Sequence, residues 1–110
     1  MKKIFTLLAL TIVFACNTPP DKTGSVRLEN DADMIAYGKN IFGQQCQKCH
    51  GENGASMMGN IPNLTTTKLE TEEDISNVIF HGRGNMPAFE DVIGEPEIRA
   101  VSLYIISLKK

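Results

Sequence analysis

Apolar residues at positions 34, 35, 38, 41 and 42 fall on one face of an α-helix. Asn30, Asp31 and Asp33 ahead of them offer an N-cap and first-turn acids, so the pattern predicts a helix that begins near Asn30 to Asp33 and runs through Phe42. A second helix is predicted from Thr71-Glu72-Glu73-Asp74, with Ile75, Val78 and Ile79 at helical spacing and a stop near Gly82 or Gly84. A third opens at Glu95-Pro96-Glu97 and carries a seam of Ile98, Val101, Ile105 and Leu108, widened by Leu103, Tyr104 and Ile106. Lys109 and Lys110 follow at its negative end. Between these elements Gly51 to Leu64 is glycine-rich and aperiodic, and Gly84 to Phe89 is irregular, with Pro87 turning Met86 away from the α conformation. Useful β-alternation and internal repeats are both missing, so the fold class is all-α.

The N-terminal pattern is of another kind. Met1-Lys2-Lys3 precedes an apolar run from Ile4 to Ala15, the charged and hydrophobic regions of a secretory signal and a run too short to span a bilayer comfortably. Val13-Phe14-Ala15 before Cys16 resembles the lipobox of bacterial lipoproteins, which implies cleavage before a lipidated Cys16; an ordinary signal peptide would leave Cys16 as a spare thiol. Residues 17 to 30 are polar, with Pro19-Pro20 and Gly24, and read as a tether. The expected organisation is a signal peptide at 1–15, a lipidated N-terminus and tether at 16–32, and a folded domain at 33–110. Loss of residues 1–15 removes Lys2 and Lys3 and leaves 9 basic against 13 acidic residues, a balance of −4. Nucleic-acid binding finds no support in that balance. The expected location is the periplasmic side of a bacterial cell envelope, on a lipid anchor.

Only three cysteines occur, and two of them lie in Cys46-Gln47-Lys48-Cys49-His50. This C-x-x-C-H spacing is that of covalent haem attachment. Residues i and i+3 share a helix face, so both sulfurs reach the two vinyl groups on one porphyrin edge, and the adjoining His50 falls under the iron. Zinc sites and redox dithiols also use C-x-x-C, but they have no special need for the adjacent imidazole. A zinc or dithiol protein built from Cys46, Cys49, His50 and His81 is the reading without haem.

With these residues in place, the chain resembles the class I-type cytochromes c over about residues 33 to 110. The resemblance rests on the first helix with Gly38 and Phe42, the Cys46 to His50 motif, the Met86-Pro87 segment and a last helix carrying Tyr104. It implies three to four helices around one covalently attached haem c, with the first and last helices crossing where Gly38 meets Tyr104. It implies His50 and Met86 as the two metal ligands, and a Pro62 carbonyl that accepts a hydrogen bond from His50. A thioether opposite an imidazole raises the potential and closes the iron to other ligands. His81 is the competing ligand, and would give a lower potential; its other role is a helix C-terminal histidine. Met34 reads as core, Met57 and Met58 as packing or partly exposed residues.

The implied function is electron transfer between redox partner proteins, without substrate chemistry. The alternatives are a haem enzyme or gas sensor with an open iron, or a haem subunit of a larger oxidoreductase. A domain this small needs a staple, and Phe42, Ile61, Leu64, Ile79, Phe89 and Leu103 are expected to bury against the ring.

Overall fold

Asn30 starts the fold by accepting a hydrogen bond from Asp33 N at 2.8 Å through its side chain, which opens α1 at Asp31–Gln45. This computed structural model describes residues 30–56 and 58–109, so the signal sequence, Cys16, nearly all of the tether, Met57 and Lys110 lie outside the described residues. Helix α1 begins inside the Asn30 to Asp33 window that the spacing predicts, so Asp31 and Ala32 lie in the helix although the expected organisation draws the tether through residue 32. Three further helices follow: α2 at Gln47–His50, α3 at Glu72–His81 and α4 at Glu95–Ser107. Among the described residues the sole extended pairing is an isolated antiparallel bridge between Arg83 and Met86, and no helix is long and apolar enough to cross a membrane.

Helix α1 buries Met34, Gly38, Ile41 and Phe42, one stripe at helical spacing. The stripe lies against α4, which buries Ile98, Val101, Tyr104 and Ile105. The expected meeting of Gly38 with Tyr104 takes a different form. What stands closest to Gly38 is the backbone of Ala100, whose carbonyl a side chain at 38 would overlap; Val101 N would lie 3.0 Å from the added Cβ. Tyr104 instead packs edge-on against Phe42, with ring centroids 5.3 Å apart and an interplanar angle of 63°. Tyr37 Oη donates to Glu97 Oε1 at 3.2 Å across the same crossing.

Helix α3 is capped by Thr71, whose hydroxyl accepts from Asp74 N at 3.1 Å, and it buries Ile75 and Ile79. It meets α4 through a hydroxyl pair. Ser102 is fully buried and donates to Ile98 O at 2.8 Å, which uses its one proton. Ser76 must therefore be the donor in the 2.9 Å Ser76–Ser102 bond. An exposed ion pair between Arg99 and Glu72 at 3.2 Å adds about 0–1 kcal/mol. Lys109 leaves the end of α4 and donates through Nζ to Leu69 O, tying down the long connection before α3.

Candidate functional site

Cys46 is the hinge between two helices. Its amide donates to Phe42 O at 2.9 Å and ends α1, while its carbonyl accepts from Cys49 N at 3.1 Å and His50 N at 3.0 Å and starts α2. That single turn puts Cys46 and His50 inside and Cys49 outside: Cys46 is 8% exposed, His50 is 9% exposed and Cys49 is exposed. No disulfide joins the two thiols. Burial, with the charge of Cys49 adding to it, pushes the Cys46 thiol up to about 11.

Met86 arrives by a different construction. Helix α3 stops at Gly82, whose amide donates to Val78 O at 2.9 Å and whose φ of 74° and ψ of 172° lie in a region essentially reserved for glycine. A two-residue turn follows. Arg83 N donates to Met86 O at 3.0 Å and Met86 N to Arg83 O at 2.9 Å, with positive φ at Gly84 but not at Asn85, the pattern of a type II′ turn. Phe89 N then donates to Ile79 O at 3.0 Å and its ring is buried, so the segment that leaves α3 at Gly82 is tied back to it at Phe89.

Between these two constructions lies an apolar pocket, open at its mouth. Cys46, His50 and Met86 all line it, together with Phe42 from α1, Val78 and Ile79 from α3 and Ile105 from α4. Cys49 and Pro62 are exposed and stand outside the lining. Burial lowers the His50 pKa, while the Pro62 carbonyl pulls it the other way; the ring is held neutral, as a metal ligand must be. The Pro62 carbonyl is near enough to act on the ring, yet His50 Nδ1 is sealed from solvent without a hydrogen bond of normal geometry. A buried imidazole, a buried thiol and a thioether lining one apolar slot are donors of the kind a haem requires. The residues present fit the group.

The competing ligands are elsewhere. His81 is exposed at the end of α3, its ring edge-on to Phe80 with centroids 4.8 Å apart. Met58 is 56% exposed, and Met34 is core on the far part of α1, beside a shallow groove with Glu95, Pro96 and Arg99. Of the residues expected to pack on the ring, Phe42, Leu64 and Ile79 line the cavity, whereas Ile61, Phe89 and Leu103 do not. Phe89 is spent on anchoring the Met86 segment. Ile75, Val78 and Ile105 take such places, and their helical register with Ile79 and Val101 is the signal that finds them. Thr67 and Leu69 also line the cavity from an aperiodic connection, where no spacing announces them.

The family described as cytochrome c oxidase, cbb3-type, subunit III matches residues 33–105. Cytochrome c6 of Leptolyngbya boryana is 33% identical over 79 residues, covering 68% of this chain and 92% of the relative. The cbb3-type cytochrome c oxidase subunit CcoP of Rubrivivax gelatinosus is 35% identical over 86 residues, covering 74% of this chain but 28% of CcoP, so the chain spans little more than a quarter of that relative's length. The crystal structure of cytochrome c6C from Synechococcus sp. PCC 7002 superimposes with a TM-score of 0.58 at 33% identity, covering 64% of this chain and 92% of that one. Sequence match, helical architecture and a cavity lined by Cys46 and His50 of one C-x-x-C-H motif converge: the chain belongs to the cytochrome c family, as a monohaem electron-transfer protein with covalently bound haem c.

Proposed function

We propose that this chain passes single electrons between redox partner proteins through a haem iron that His50 and Met86 would hold, while Cys16 holds the chain to a membrane. Haem c supplies the reversible one-electron iron couple. Cys46 and Cys49 would hold it by thioether bonds from one turn, and His50, continuous with that turn, would be a ligand. The buried, neutral His50 ring needs its Nδ1 proton directed, and the Pro62 carbonyl is the acceptor at hand; fixing that tautomer leaves Nε2 for the iron. Met86 supplies the thioether, and the apolar walls from α1, α3 and α4 exclude water. The observation that carries the reading is that one cavity is lined by Cys46, His50 and Met86 together, whereas His81 is exposed outside it.

The tether reading is supported by the lipobox-like Val13-Phe14-Ala15 before Cys16. It places the domain on the periplasmic side of the envelope, on a leash that lets it move between partners. A second reading is favoured by the similarity to CcoP: the same domain serving as a haem subunit of a larger oxidoreductase.

The test is to express the exported chain in a host with c-type maturation. Haem staining on denaturing gels is expected for the wild type and lost in Cys46→Ala with Cys49→Ala; retained staining would overturn the attachment. Met86→Ala is expected to lose the methionine-to-iron(III) band and to bind carbon monoxide when reduced, which the wild type resists. Rapid carbon monoxide binding by the wild type would favour an open-iron enzyme or sensor. Labelled palmitate should enter the wild type and not Cys16→Ser, and isolation with or apart from a larger complex separates the two electron-transfer readings.

A further inference from the structure

The Met86 segment lies against the end of α3 backbone to backbone. A Cβ added at Gly82 would stand 2.6 Å from Met86 O, 2.7 Å from Ala88 N and 2.8 Å from Pro87 C. None of these is the tip of a flexible side chain. They are the main chain of the ligand segment itself, which is also fixed by the Arg83–Met86 pair and by Phe89 N on Ile79 O. Gly84 provides an internal contrast. It too has positive φ, at 56°, but a Cβ there meets nothing within 4 Å.

We propose that Gly82 is a positioning residue for Met86: its missing side chain lets the Met86–Ala88 backbone seat against α3 and so sets how far the Met86 side chain enters the cavity it shares with His50. The proposal rests on the reading of Met86 as an iron ligand and assigns what holds that ligand in reach. A methyl group at position 82 leaves two outcomes for the segment, a shift away from α3 or a change of the Gly82 conformation, and either one withdraws Met86. A ligand withdrawn for a larger fraction of the time yields its place more readily to an added ligand, because apparent affinity scales with the population of the open form.

Full-length holoprotein and its Gly82→Ala, Gly84→Ala and Met86→Ala variants test this, with free imidazole as the probe. Four quantities are read: covalent haem, far-ultraviolet circular dichroism, the methionine-to-iron(III) band and the imidazole affinity of the oxidised protein. Gly82→Ala is expected to keep its haem and helical signal, lose most of the band and bind imidazole about tenfold more tightly or better. Gly84→Ala is expected to keep the wild-type band and affinity. A band lost in Met86→Ala but intact in Gly82→Ala, with unchanged imidazole affinity, overturns the role of Gly82 alone. Equal losses in Gly82→Ala and Gly84→Ala also overturn it, since strain at positive φ would then suffice. A fall in helical signal in Gly82→Ala overturns it as well, assigning Gly82 to the domain rather than to the ligand. An unchanged band in Met86→Ala overturns the ligand reading and this proposal together.

Discussion

The wall of the cavity that carries His50 and the wall that carries Met86 are held by different physics. His50 sits on a turn continuous with α1, and α1 is locked to α4 where Gly38 meets the Ala100 backbone and Phe42 meets Tyr104. Its position follows from helical hydrogen bonds and packed apolar area. Met86 sits on a segment with no regular structure of its own, held by a two-residue turn and by backbone contacts at Gly82 and Phe89. One wall draws on the stability of the whole core; the other rests on a few local bonds. Local opening free energies differ between such regions, so the Met86 wall is the one expected to yield first.

Taking the cofactor away should have the largest effect, because both walls then face an empty apolar slot. The haem-free chain is expected to lose a cooperative unfolding transition by circular dichroism, and a native-like transition would show that the α1–α4 crossing suffices alone. Phe42→Ala comes next, at about 3–5 kcal/mol in denaturant unfolding, because it removes a fully buried ring from both the crossing and the cavity. Gly38→Ala should cost about 1–3 kcal/mol by forcing α1 from α4, with the methionine band intact until the domain unfolds. Early loss of that band would erase the distinction between the walls.

Ser76→Ala, which breaks the one hydroxyl bridge from α3 to α4, is expected to cost about 0.5–1.5 kcal/mol. The smallest effect is one of pH. Burial, and then the Glu97 carboxylate beside its hydroxyl, raise the Tyr37 pKa above 10. The fold therefore favours protonated Tyr37; its contribution is full below about pH 10 and declines as pH rises through the folded value. Tyr37→Phe should flatten that alkaline decline in unfolding curves recorded across the range.

The same division explains what the sequence discloses. The three long helices, their caps at Asn30 and Thr71 and the stop at Gly82 are written in local spacing and capping chemistry, as is the Cys46 to His50 turn. The packing partner of Gly38 is not, because the place where two helices touch is settled by the whole interface; Ala100 is small enough to bring the backbones together while Tyr104 reaches Phe42. Phe89 and Leu103 are apolar enough to face a ring, yet the path of the chain directs them elsewhere. Thr67 and Leu69 line the cavity from an aperiodic connection, tied to the end of α4 by Lys109 at Leu69 O, and no local spacing encodes such a tertiary contact.

The burial of Cys46 bears on the order in which the protein is made. In the closed domain one thiol of the pair is exposed while the other is shut away with its pKa pushed up to about 11, poorly placed to form a bond. The Cys46 thioether is therefore expected to form before α1 and α4 close over the slot, whereas Cys49 stays within reach in the closed domain. A chain that stays loose until its haem arrives would keep Cys46 within reach, and closure of the fold would then bury the bond.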